Sequence, residues 1–154
     1  MIRKNTDNLK LFVMIIFVFF CTSCATPYQK QNWYSHRGGY SEIRLTDNSF
    51  RIVFNGNKIT DGGVATDFAL LRSAEVTKLN GFNYFVIAIN NDSTMYQETY
   101  NGIKDVLGRP SVINVIYCYK DRPSNHDKKI YEASDIISKL RDKYKIDKPW
   151  YNKL

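Results

Sequence analysis

Two almost continuously apolar runs, 82–89 (FNYFVIAI) and 111–119 (SVINVIYCY), limit the possible folds more than any other feature of this 154-residue chain. Each is too short for a buried helix and is rich in β-branched and aromatic residues. Turn residues bound both: Asn80 and Gly81 precede the first, Gly108 and Pro110 the second. Both are therefore predicted as strands, the first of them central in a sheet.

The rest of the chain supplies what would cover such a sheet. Residues 41–45 and 50–54 alternate, with Ile43 and Leu45 on one side, then Phe50, Ile52 and Phe54 against Arg51, and Val53 as the exception. Thr46-Asp47-Asn48-Ser49 between them is turn chemistry, so an antiparallel hairpin is predicted. A helix follows, capped by Thr60 or Asp61 and closed by Asn80-Gly81. On a wheel, Val64, Ala65, Phe68, Ala69, Leu71, Val76 and Leu79 share its apolar face. Arg72 and Glu75 fall inside that face at the i,i+3 spacing where side chains meet, which predicts a structural ion pair at the edge of the core. Past the charged turn at 121–129, Ala133, Ile136, Ile137, Leu140 and Tyr144 make the stripe of a second helix.

Between the two apolar runs lies a long polar excursion, 90–109, in which 95–100 alternates weakly. By length it is either an exposed hairpin or a functional loop, and Met95, Tyr96 and Tyr100 are its candidate partner contacts. The predicted order is strand, strand, helix, strand, loop, strand, helix. That is an α+β fold: a mostly antiparallel sheet of about four strands with two helices packed on one face. The domain is placed at 39–146, with a tail at 147–154 in a region where six cations face two anions from Lys139 onward, the pattern of a solvated surface.

The amino-terminal segment has a different character. Arg3, Lys4 and Lys10 flank ten unbroken apolar residues, 11–20, too few to span a bilayer comfortably, and small residues then lead to a cysteine. The run Cys21-Thr22-Ser23-Cys24 matches a bacterial lipoprotein site in three of four positions, Cys21 standing where Leu or Val is usual. A lipoprotein signal peptide at 1–23 and lipidation at Cys24 are expected, the acyl chains giving stable membrane attachment. Cutting after Ala25 by ordinary signal peptidase and an uncleaved anchor are the alternatives. Ala25 after the cysteine favours the outer membrane over inner-membrane retention; which side the domain faces is left open. Residues 24–38, polar and aromatic with Pro27, are expected as a lipidated tether; its Tyr28, Trp33 and Tyr34, with Tyr40 just beyond it, either seek the head-group layer or dock onto the domain.

Loss of the leader removes three cations and one anion, leaving 19 Lys and Arg against 14 Asp and Glu, a net of +5. In an exported domain such charge is suited to anionic head groups, acidic protein surfaces or plain solubility, and nucleic acid is not an expected partner. Only Cys118 would remain as a thiol, in an apolar strand pattern that predicts burial. His36 and His126 have no zinc spacing, and no cofactor or metal is expected. A thiol enzyme combining Cys118 with His126 and Asp127 is the low-ranking alternative to a non-enzyme.

Several segments carry a resemblance: CATPYQ at 24–29, GGYSE at 38–42, RLTDNSFRIVFNGN at 44–57, DFALLRSAEVTKLNGFNYFVI at 67–87, RPSVINVIYCYK at 109–120 and IYEASDII at 130–137. Together they are similar to a family of small proteobacterial lipoproteins whose activity is uncharacterised, the 90–109 stretch departing from it. The resemblance implies a lipoprotein and carries over no catalytic residue. The expected protein is a lipid-anchored envelope module that binds an envelope protein or polymer without catalysis; a structural or stress-related envelope component and a hydrolase or thiol enzyme are the other readings.

Overall fold

The computed structural model describes residues 25–31, 38–93, 96–100, 103–107, 109–124 and 127–147. Strands β1 (Gly39–Arg44) and β2 (Ser49–Asn55) precede helix α1 (Gly62–Leu79). Then come β3 (Tyr84–Ser93), β4 (Tyr96–Tyr100), β5 (Ile103–Leu107), β6 (Ser111–Tyr119) and β7 (Ile130–Glu132), and helix α2 (Ala133–Tyr144) ends the domain. The main sheet has the order β1-β2-β6-β3-β7 and is antiparallel throughout; β4 and β5 form a separate two-stranded sheet.

The α+β class, with an antiparallel sheet and two helices, is thus as the sequence predicts, with five strands in place of about four. The additional strand is β7, whose three residues pair with 84–86 and are too few to show a period. β6 is the middle strand and β3 lies beside it. Part of the polar excursion also belongs to the main sheet, because Asn91, Asp92 and Ser93 pair with Ile113, Val112 and Ser111 across a register shift between Ile87 and Ile89.

The α1 boundaries are set by side chains and by one glycine. Asp61 Oδ1 accepts from the N–H groups of Gly63 (2.8 Å) and Val64 (3.3 Å), satisfying two donors that the first turn would leave unpaired. At the other end Gly81 takes φ +79°, and Phe82 N–H and Gly81 N–H donate to Thr77 O and Lys78 O at 3.0 Å each, the paired bonds of a Schellman stop.

Two expectations about apolar faces need correction. Leu79 is 47% exposed, since it lies in the last turn of α1, beyond the stretch 71–77 that is buried all round and in which the Ser73 and Thr77 hydroxyls donate to Ala69 O and Ser73 O at 2.8 Å. Ile43 and Leu45 are 56% and 51% exposed and do not join Phe50, Ile52 and Phe54. The hairpin register decides this. Arg44, Glu42 and Tyr40 stand opposite Phe50, Ile52 and Phe54, and directly opposed residues share a face, so β1 turns its polar set toward α1.

The core lies between the sheet and the helices in two clusters. One gathers Phe50, Ile52, Ala74, Val76, Phe85, Ile116, Cys118 and Ala133; the other gathers Phe54, Ala65, Phe68, Ala69 and Val112. Along α1 and β6 the chain places polar residues between these groups: Arg72, Ser73 and Glu75 on the helix, and Asn114 on the strand, its Nδ2 donating to Ser73 Oγ at 3.3 Å.

Candidate functional site

The chemically distinctive place in the domain is built around Glu75, which is 2% exposed. Four elements converge on it. The i,i+3 spacing on α1 brings Arg72 alongside, with Nη1 3.0 Å from Glu75 Oε2, so the ion pair predicted from sequence is present and buried. The inward polar face of β1 adds Glu42, whose carboxylate takes Arg72 Nη2 at 3.0 Å and Nε at 3.2 Å in a two-point grip. From α2, Arg141 Nη2 donates to Glu75 Oε1, and its Nη1 donates to Asp147 O at 2.8 Å. The amino-terminal segment contributes Tyr28, whose hydroxyl donates to Glu75 Oε2 at 2.5 Å.

The result is an alternating row, Glu42, Arg72, Glu75, Arg141, with two charges of each sign. Aromatic rings enclose it: the Arg72 guanidinium lies 4.4 Å over the Tyr40 ring, Tyr40 is 4.8 Å from Tyr28, and Tyr28 meets Phe68 edge-on at 5.3 Å. Burial, reinforced by the neighbouring Glu75 carboxylate, pushes the Tyr28 phenol far above its usual range. Burial acts against the charge of Arg72, but the hydrogen bonds and charge of Glu42 outweigh it, and the guanidinium is held more firmly protonated than usual. Burial likewise raises Tyr40, against the opposing influence of Arg72. Both oxygens of Glu75 are occupied, so the carboxylate is arranged as an acceptor hub, not as a base with a lone pair turned to a substrate.

Tyr28 draws in part of the stretch expected as a tether. Residues 25–31 lie on the domain: Lys30 bridges to Tyr40 in parallel, Gln31 N–H donates to Tyr40 O and Tyr40 N–H to Gln29 O, each at 2.8 Å. Gly39 makes room for this, since a Cβ there would come 2.5 Å from Gln29 O at a φ of +131°. Thr26 is 2% exposed; its N–H donates to Thr60 Oγ1 at 3.0 Å and its Oγ1 accepts from Asn57 N–H at 2.8 Å. Of the two roles open to the tether aromatics, Tyr28 takes docking.

The other residues singled out by sequence are not brought to this place. Cys118 is buried among apolar neighbours, its thiol pushed up by burial and 3.4 Å from the Thr77 hydroxyl. Asp127 is exposed, and His36 and His126 lie outside the described residues. So do Cys24 and Met95. Tyr96 and Tyr100 are the first and last residues of β4, opposite Leu107 and Ile103, with their side chains outside the described set.

Glu42, Arg141 and Tyr28 are the members that sequence reasoning did not place in the network. For Arg141 a signal exists: it follows Ile137 by four residues and lies on the same stripe as Leu140 and Tyr144. Among the described residues, two buried polar atoms lack a hydrogen-bond partner, Asn114 Oδ1 and Arg141 Nε. No group of His, Cys, Asp and Glu there could hold a metal ion, and no helix there is long and apolar enough to cross a membrane. Comparison of the chain with protein-family models, with curated proteins and with solved structures finds no match.

Proposed function

We propose that this chain is a bacterial envelope lipoprotein, acylated at Cys24 and held at the outer membrane by its acyl chains, whose folded domain is a non-catalytic binding module for an envelope protein or polymer. The observation that carries this reading is the cationic start, the apolar run 11–20 and the Thr22-Ser23-Cys24 approach to a cysteine. The geometry around Glu75 supports the non-catalytic part: a charge-balanced row whose acceptors are occupied holds four elements together and offers no unengaged nucleophile or base. The burial of Cys118 works against a thiol reaction in the same way. The β4–β5 hairpin, separate from the main sheet and including Tyr96 and Tyr100, is the contact surface in this proposal, with Met95 next to it in the sequence.

Mass spectrometry of the mature chain tests the anchor. A lipidated Cys24 amino terminus is expected, and Cys24→Ala is expected to release the domain from membranes; retention of Met1 or a start at Thr26 would refute it. Crosslinking in intact cells tests the module, the expected outcome being a specific envelope partner joined through the hairpin.

A further inference from the structure

The described chain begins against the loop that follows β2. Thr26, two residues after Cys24, is locked to this loop through Asn57 and Thr60, and Asn57 Oδ1 in turn holds the N–H groups of Ile59 and Thr60 at 3.0 Å each. Two residues of extended chain span at most about 7 Å, so an acyl chain on Cys24 has almost no slack before it meets this loop.

The loop presents Ile59 at 54% exposure, with Lys58 exposed beside it. Gly56 N–H donates to Pro110 O at 2.8 Å, which sets the exposed Arg109 at the same end. The acidic residue in the loop, Asp61, has its carboxylate committed to the first N–H groups of α1. A single exposed isoleucine needs no explanation on an ordinary surface. One that follows a lysine in the sequence, shares its end of the sheet with Arg109 and belongs to a loop bonded to Thr26, two residues after Cys24, matches the chemistry of a bilayer interface, where an apolar side chain enters the acyl boundary and lysine and arginine reach the phosphates.

We infer that this end of the domain rests on the bilayer, with Ile59 inserted at head-group level and Lys58 and Arg109 against anionic lipid phosphates. The inference depends on acylation of Cys24. It makes the anchor a seat that orients the domain, not a leash on which it turns.

The test uses the acylated mature chain in vesicles of phosphatidylethanolamine and phosphatidylglycerol, with a nitroxide on Ile59→Cys, on Lys58→Cys, or on Asp47→Cys in the β1–β2 turn at the far end of the strands. The native Cys118 is buried and stays unlabelled. Collision with oxygen, which concentrates in lipid, is compared with collision with a water-soluble nickel chelate. The expected result is a several-fold rise in the oxygen-to-nickel ratio at position 59 on reconstitution, a smaller rise at 58 and none at 47. Equal ratios at 59 and 47 on a chain that stays with the vesicles and has a lipidated Cys24 would overturn the orientation while leaving the anchor intact. Protection of position 59 from both reagents would also overturn it, by pointing to a protein at this surface. An unmodified Cys24 on a chain that leaves the vesicles would remove both the anchor and the orientation.

Discussion

Replacing Glu75 by alanine should be among the most damaging single changes in this domain, because it removes the acceptor shared by Arg72, Arg141 and Tyr28. Breaking a buried pair by deleting one partner costs about 3–5 kcal/mol, since the remaining charge stays desolvated without compensation. Arg72 and Arg141 side chains are each 10% exposed and Arg72 keeps Glu42, which lowers the figure; the phenol of Tyr28 left without an acceptor raises it again. A loss of about 3–4 kcal/mol is therefore expected, against a total of about 5–15 kcal/mol for an ordinary domain.

Urea unfolding of a soluble form beginning at Ala25, followed by circular dichroism, measures this. With a slope of about 2 kcal/mol/M the midpoint should fall by about 1.5–2 M. A control separates charge from packing: Glu42→Gln, Arg72→Met, Glu75→Leu and Arg141→Met together leave no charge of the row stranded and should recover much of the loss. If the single change moved the midpoint by less than about 0.5 M, roughly 1 kcal/mol, the network would not be the buried hub described above. If this fourfold variant were less stable than the single one, the cost would lie in shape and not in uncompensated charge.

Two further outcomes follow from the same geometry. Tyr28 has a folded pKa raised above its unfolded value by burial and by Glu75, so its contribution is fully present below the ordinary phenol pKa of about 10 and is lost as pH rises above it; Tyr28→Phe should flatten the fall in stability measured by urea titration above that pH, and an unchanged slope would count against the buried phenol. Excision of 94–108, with Ser93 joined to Arg109 through two glycines, should leave unfolding cooperative and stability within about 1 kcal/mol, because shortening a closed loop changes its entropy only logarithmically, while recovery of any crosslinked partner is lost; failure to fold would make the hairpin part of the core.

Where the chain's own pattern is strong, the fold was legible. The α1 boundaries follow from Asp61 and Gly81, β6 and the 84–89 part of β3 from their apolar content, and the Arg72–Glu75 pair from its spacing, whereas the polar end of β3 at 90–93 has no such signal. The remainder of the network was not, for a physical reason that the β1–β2 hairpin illustrates. Alternation in 41–45 places Ile43 and Leu45 inward if each strand is read alone. The turn closes with Leu45 N–H donating to Ser49 O at 2.9 Å, and that register sets Glu42 opposite Ile52. A slip by one residue would have reversed the face. Exposure of two aliphatic side chains is offset by delivering Glu42 to Arg72, a long-range gain that local periodicity does not contain. Tyr28 was hidden for the same reason: its acceptor is 47 residues away.

These contacts also change what the amino-terminal segment is. A flexible tether would let an anchored domain sample many orientations, and any partner contact would have to be independent of the membrane. Here Thr26 is held by Asn57 and Thr60, Gln29 and Gln31 by the backbone of Tyr40, and Tyr28 by Glu75, which is itself gripped from α2 by Arg141. Force applied at residue 25 is therefore transmitted into α1 and α2 within four residues of chain. The same end of the sheet is where β3 stops at Ser93 and β6 begins at Ser111, so the β4–β5 hairpin leaves the domain beside the docked segment. In the proposed orientation the hairpin emerges close to the bilayer, and a partner that reads Met95, Tyr96 or Tyr100 has to approach along the membrane surface. On that proposal, variation in the hairpin would change the partner without disturbing the seat, because the seat would be made by Thr26, the 56–61 loop and the Glu75 network, none of which lies in the hairpin.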